Sequence, residues 1–150
     1  MIKDGLTMTG HVKIALNDEV VKEIPNLVVT AGKKWVANRM KGTTPTQAPM
    51  SHMAVGTSSA HPNDTAPNDA SGQTTLGTEE DRNALTSTTV TDDEVAYVCS
   101  WAAGDGTGAL TEAGLFDASS GGDMLARTVF SVVNKGASDT LTITWTITVS

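Results

Sequence analysis

Between Thr140 and Ser150 the chain alternates without a break. Leu141, Ile143, Trp145, Ile147 and Val149 are apolar, and the positions between them are all threonine. A period of two describes a strand with one face in a core and one face outside it. No single sheet can bury that apolar face by itself, so the strand demands a second packed layer. The threonine face favours strand geometry and carries no charge. It can meet water or a neighbouring subunit at little desolvation cost, where a lysine-studded edge discourages association. Threonine is also simply a good exposed strand former, and both readings of the ladder stay open. Thr142, Thr144 and Thr146 are therefore candidate interface residues.

The rest of the chain supports the same layered sheet. "HVKIAL" alternates, "NDE" supplies turn formers, and a return strand is expected from Val20 to about Ile24, with Pro25 marking an edge or bend. "TAGKKWVANRMKG" carries the one clear helix signal, near residues 31–41. Thr30 is expected as its N-cap and Gly42 as its terminator. "MSHMAVGT" reads as a short strand and "LGTEEDRNAL" as a helical turn or an extended arm. The segment 57–75 has few apolar residues and several Pro, Asn and Asp, so it reads as a long exposed loop. Asp92–Asp93 divides two strands. In the second, Val95, Tyr97, Cys99 and Trp101 share one face, Ala96, Val98, Ser100 and Ala102 the other, and neither face is strongly polar, as in a central strand. "LTEAGLFDA" and "DMLARTVFSVV" are strands joined by "SSGG".

These signals define a mainly β chain: a β-sandwich, jelly-roll-like, with one short helix. Its 150 residues suit a single domain, 1–150, with an N-terminal arm at 1–10. Trp35, Tyr97, Trp101, Phe116, Phe130 and Trp145 are the expected core anchors. Cys99 is the only cysteine, which excludes an internal disulfide and reads as a buried apolar residue. Charged residues make up 18% of the chain and the net charge is −7. That sign repels phosphate backbones, so direct nucleic-acid binding is not expected. No apolar run approaches a membrane span, and the N-terminus lacks the pattern of a signal peptide.

Motifs for chemistry are weak. "GDGTG" at 104–108 lacks the following Gly-Lys-Ser/Thr of a phosphate loop and reads as a turn. Asp92, Asp93, Asp64 and Asp69 lack the spacing of a calcium loop. His11, His52 and His61 have neither helical pairing nor cysteine partners, so no zinc site is expected. Glu79, Glu80 and Asp81 before Arg82 read as a solvated face or a local ion pair. No catalytic residue, metal ligand or cofactor site is read from the sequence, and an enzyme is not expected.

Over most of its length the chain nevertheless resembles a known group. "VVKEIPNLVVTAGKKWVANRM", "MAVGTSS", "TTLGTEEDR" and "LTEAGLFDASSGGDMLARTVFSVVNKGASDTLTITWTITV" follow one another in the order found in small virion structural proteins of tailed bacteriophages. The resemblance implies a non-enzymatic protein of the virion, made in the host bacterial cytoplasm. The decoration (cement) type stabilises the head by bridging subunits of the major capsid protein. Relatives of the neck, collar or tail-fibre adaptor type contact neighbouring virion proteins instead, and a glycan-binding module is a further alternative. A homo-oligomer is expected. His61, Asn63, Asp64, Asn68 and Asp69 in the long loop join the threonines as candidate interface residues.

Overall fold

A computed structural model of the chain describes residues 5–41, 47–60 and 73–150. In chain order the elements are β1 (Met8–Leu16), β2 (Glu19–Pro25), β3 (Leu27–Val28), α1 (Thr30–Arg39), β4 (His52–Gly56), β5 (Glu79–Ala84), β6 (Ser87–Thr91), β7 (Glu94–Trp101), β8 (Gly108–Phe116), β9 (Met124–Lys135) and β10 (Leu141–Val149). They form two five-stranded antiparallel sheets, ordered β2-β1-β10-β7-β6 and β3-β9-β8-β4-β5. The mainly β sandwich with one short helix is thus the observed architecture. The jelly-roll analogy does not extend to strand order. A jelly roll has about eight strands in two Greek keys, whereas here β1–β2, β4–β5, β6–β7 and β8–β9 are hairpins that each stay within one sheet.

Local chemistry accounts for the hairpins. Asn17 and Asp18 both adopt positive φ, 50° and 66°, between β1 and β2. That pair of angles gives the turn twist that matches two right-twisted strands. Asp92, at φ 53°, opens the turn between β6 and β7. Pro25 ends β2, an edge strand, where its missing N–H costs no ladder bond.

The core lies between the sheets. Val12, Ile14, Cys99, Trp101, Ile143 and Trp145 enter from the first sheet, and Met53, Leu110, Leu115, Leu125 and Phe130 from the second. Trp101 and Trp145 are completely buried, and Tyr97 and Phe130 nearly so. Each such aromatic removes roughly 150–250 Å² from water. Trp145 donates its indole N–H to Asn26 Oδ1 at 3.2 Å. Asn26 links β2 to β3, where the chain crosses between sheets. It approaches β1 so closely that a Cβ on Gly10 would lie 1.2 Å from its Oδ1. Phe116 is fully buried as well, but in a second cluster with Val29, Ala54, Leu76 and Met124. Phe116 directly follows Leu115, so the two-residue period of the strand puts it on the opposite face, outside the sandwich interior. Trp35 is half-buried on α1 and donates to the Ala48 carbonyl at 2.8 Å.

Four expectations need correction. Thr30 is not the N-cap: the helix starts at Thr30, Val29 occupies the cap position, and no side chain caps it. Val29 N–H instead donates to Leu125 O at 3.2 Å, so docking onto β9 replaces a cap. The docking is close, because a Cβ on Gly32 would sit 2.0 Å from Leu125 O. Residues 79–84 are a strand, β5, not a helical turn or an arm. Pairing with β4 overrides the poor strand propensity of Glu, Asp and Asn. The segment expected as an arm at 1–10 is paired over Thr7–Gly10, and residues 1–4 lie outside the described residues. Met8–Gly10 pair with Ile147–Val149, and Thr7 and Ser150 exchange two backbone hydrogen bonds. The end of β10 needs partners for its N–H and C=O groups, and the N-terminal segment supplies them. The loop 57–75 is tied down at both described ends, since Thr57 N–H donates to Thr78 O and Gln73 is buried. Gly42 and residues 61–72 lie outside the described residues.

Candidate functional site

β10 occupies the centre of its sheet, hydrogen-bonded to β1 on one side and β7 on the other. Its inward residues Leu141, Ile143, Trp145 and Ile147 are buried. Its threonines point away from the core and are half-buried by their strand neighbours. The ladder is therefore the middle of a face, not an edge.

The register builds this face row by row. Thr144 stands between Lys13 and Val98, and Val98 is opposite Ser87. Thr146 stands between His11 and Ala96, with Thr89 beyond. Thr142 stands between Ala15 and Ser100, and its hydroxyl lies 3.2 Å from that of Ser100. Thr148 stands between Thr9 and Glu94, and its hydroxyl donates to Glu94 Oε1 at 3.4 Å. Charge enters the face on the β1 side, where Lys13 stands beside Thr144 and pairs with the exposed Glu23 of β2 at 3.6 Å, and at one end, where Glu94 stands beside Thr148. Across β10, β7 and β6 the interior of the face carries only hydroxyls and small apolar groups. Such a surface is removed from water without stranding an ion.

The outer face of the second sheet contrasts with it. Glu112, Gly114 and Phe116 alternate outward along β8, and residues 73–78 lie over them. The Glu112 carboxylate is fully buried. It accepts from Gly77 N at 2.9 Å, Thr78 N at 2.8 Å and Ser58 N at 3.3 Å. Arg127 on β9 adds bonds from Nε at 3.1 Å and Nη2 at 2.8 Å, and its Nη1 donates to Gln73 Oε1 at 3.3 Å. Nearby, Arg82 makes a bidentate pair with Glu79 and donates to the carbonyls of Ala118 and Gly121. Its guanidinium lies 3.7 Å from the Phe116 ring centroid. Here the charges are spent on holding a covering segment. Of the two readings of this acidic cluster, solvated face or local ion pair, Glu79 and Arg82 form the ion pair, within a larger contact. Neither Glu112 nor Arg127 stands out in the sequence, because only the β8–β9 register brings them together.

Cys99 lies in the core. Burial pushes the Cys99 thiol up to about 12, outweighing backbone hydrogen bonds that act the other way. The thiol contacts the carbonyls of Asn83 and Ala84 at 3.7 and 3.5 Å. It is a neutral core group at physiological pH, as read from the sequence. A shallow groove of about 490 Å³ is lined by Gln47, Ala48, Asp117, Ala118, Gly122 and Asp123. Its Asp117 is engaged as a turn acceptor for Asp123 N–H at 2.7 Å. Among the described residues no group of three or more His, Cys, Asp or Glu side chains is placed to hold a metal ion. No helix among them is long and apolar enough to cross a membrane.

Of the interface residues expected from sequence, Thr142, Thr144 and Thr146 fall together at the centre of this face. His61, Asn63, Asp64, Asn68 and Asp69 lie outside the described residues. Thr9, Ser87, Thr89, Ala96, Val98 and Ser100 belong to the face and were not singled out from sequence. The alternation of β7 contains their signal in part, but strand order does not follow from alternation. Among the described residues, the fold and surface thus define a two-layer sandwich with one covered and one uncovered outer face. Compared with protein-family models, curated proteins and solved structures, the chain finds no match.

Proposed function

We propose that this chain is a non-enzymatic structural protein of a tailed-bacteriophage virion, of the capsid decoration type. In this reading the uncovered face of the β10 sheet docks against the major capsid protein. The observation that carries it is the contrast between the two outer faces. One is sealed by a buried ion-pair network, and the other presents a floor that is uncharged across the middle of β10, β7 and β6 and whose burial there costs little. Each such contact is modest, and repetition over a lattice of identical sites multiplies its effect. The net charge of −7 suits a position away from packaged DNA. The resemblance in segment order to small virion proteins supplies the biological setting.

The test is stoichiometry in purified particles, combined with a face variant. The protein is expected in copy number comparable to the major capsid protein, and Thr144→Glu/Thr146→Glu is expected to abolish its incorporation. A copy number matching only the neck or tail would move the assignment to an adaptor. Absence from particles, or full incorporation of the double variant, would refute the reading.

A further inference from the structure

Among the described residues the two five-stranded sheets have four edge strands, and three of them are blunted against pairing. β2 carries Glu19, Lys22, Glu23 and Pro25, and its register with β1 is broken by a bulge. β3 is only two residues long, and the stretch of β9 beyond it is met by charged Lys22 of β2, whose ammonium donates to the Ser131 hydroxyl. β5 carries Glu79, Glu80, Asp81 and Arg82. Short length, charge, proline and bulges are the devices by which sheets avoid edge-to-edge association. The fourth edge, β6, carries no charge, proline or register break within its five residues. Its sequence is Ser-Thr-Thr-Val-Thr, all five residues are exposed, and Val90 is 68% exposed.

We propose that β6 is a self-association edge, at which two copies of this chain pair their Ser87–Thr91 strands antiparallel about a two-fold axis through Thr89. The register supports this occupant. The two-residue Asp92–Asp93 turn makes Thr91 and Glu94 a hydrogen-bonded pair, so Thr89 and Ser87 also face β7 with their backbone groups. Thr88 and Val90 then direct their N–H and C=O outward. In the antiparallel dimer Thr88 of each copy meets Val90 of the other, which closes about four main-chain hydrogen bonds. The exposed Val90 side chain gains the methyl of the opposing Thr88.

Charge selects the direction of pairing. At net charge −7, two copies repel wherever acids meet. Antiparallel pairing about Thr89 places Asp92 opposite Thr86 and Asp93 opposite Leu85, so the acids of the two copies sit at opposite ends. Parallel in-register pairing would stack Asp92 on Asp92 and Asp93 on Asp93. The two-fold contact is isologous and closes on itself, so it yields a dimer and not a filament. Thr89 lies in the row of Ala96 and Thr146, so pairing continues the threonine face across both copies. The inference does not depend on the chain being a virion protein.

Sedimentation of the full chain from about ten micromolar to about one millimolar tests it, since one short strand gives an interface at the small end of the usual range. The expected result is a monomer shifting to a dimer, with slowed amide exchange at Thr88 and Val90. Thr89→Lys and Thr89→Glu are each expected to remain monomeric, because like charges then meet on the axis. Their equimolar mixture is expected to recover the dimer, which a folding defect would not allow. Val90→Pro removes an outward N–H without breaking a bond to β7, and is expected to be a folded monomer. A wild-type monomer at every concentration would overturn the proposal. So would a dimer that survives Thr89→Lys, a failed mixture of folded variants, or protection located on β2 or β5. Protection at Thr88 and Val90 arising only on addition of a different protein would assign the edge to that partner and equally overturn self-association.

Discussion

Replacing Glu112 by alanine tests whether the buried network holds the covering segment to the second sheet. Glu112 is fully buried, and Arg127 is 3% exposed. The carboxylate satisfies Nε and Nη2 of Arg127 together with the N–H groups of Gly77, Thr78 and Ser58. Removing it leaves a buried cation without its counter-charge and strips those backbone donors of their acceptor. Breaking a buried pair in this one-sided way costs about 3–5 kcal/mol. Against a typical domain stability of about 5–15 kcal/mol, that is a large fraction. For a chain of this size it corresponds to a fall in Tm of roughly 6–20 °C. Thermal and urea unfolding of Glu112→Ala gives the number, and a double-variant cycle gives the cause. Arg127→Met is expected to destabilise the wild type by several kcal/mol. In a Glu112→Leu background the same change is expected to be neutral or stabilising, because it removes an unpaired charge. A loss below about 1 kcal/mol in Glu112→Ala would place the site in the range of ordinary surface pairs and refute the network's role. So would simple additivity of the two substitutions.

Trp145→Ala is expected to cost about 3–5 kcal/mol in chemical denaturation, since the side chain is fully buried at the centre of the sandwich. A cost under about 0.5 kcal/mol would mean that the faces of β10 are reversed. Asp139 has its carboxyl held below the ordinary range, first by the Asn17 side-chain amide and then by the Gly136 N–H. The ionised form is favoured in the folded state, so its contribution is present above the unfolded carboxylate range and fades as pH falls through the folded value. Asn17→Gly, which keeps the positive φ, should raise the Asp139 pKa in an NMR titration. Cys99 should resist thiol reagents in the native protein at pH 8 and react on unfolding, because its thiol ionises only near pH 12. The unfolded thiol ionises first, near 9, so this group's share of stability declines as pH rises from there toward 12.

The elements that were legible in the sequence are those specified by neighbours along the chain. Period-two alternation marks Leu141–Val149 and Val95–Trp101 as strands. Asn17–Asp18 and Asp92–Asp93 mark hairpins, because their side chains tolerate positive φ. The helix shows itself by its length and composition, although its start does not. Thr30 has the chemistry of a cap, but the N–H of Val29 finds Leu125 O on a strand nearly a hundred residues away. Residues 79–84 look polar enough for a turn or an arm and become a strand because β4 offers an open edge.

What alternation determined is that β10 has one apolar and one threonine face, and that a second layer must cover the former. Only the tertiary structure decided that β10 is the central strand, that its threonines join those of β6 and β1 in one uncovered floor, and that Glu112 and Arg127 meet beneath residues 73–78. The reason is physical. A side chain's face follows from the backbone period, which is local. A strand's neighbours follow from which hairpins dock, and that free energy is summed over residues far apart in the chain.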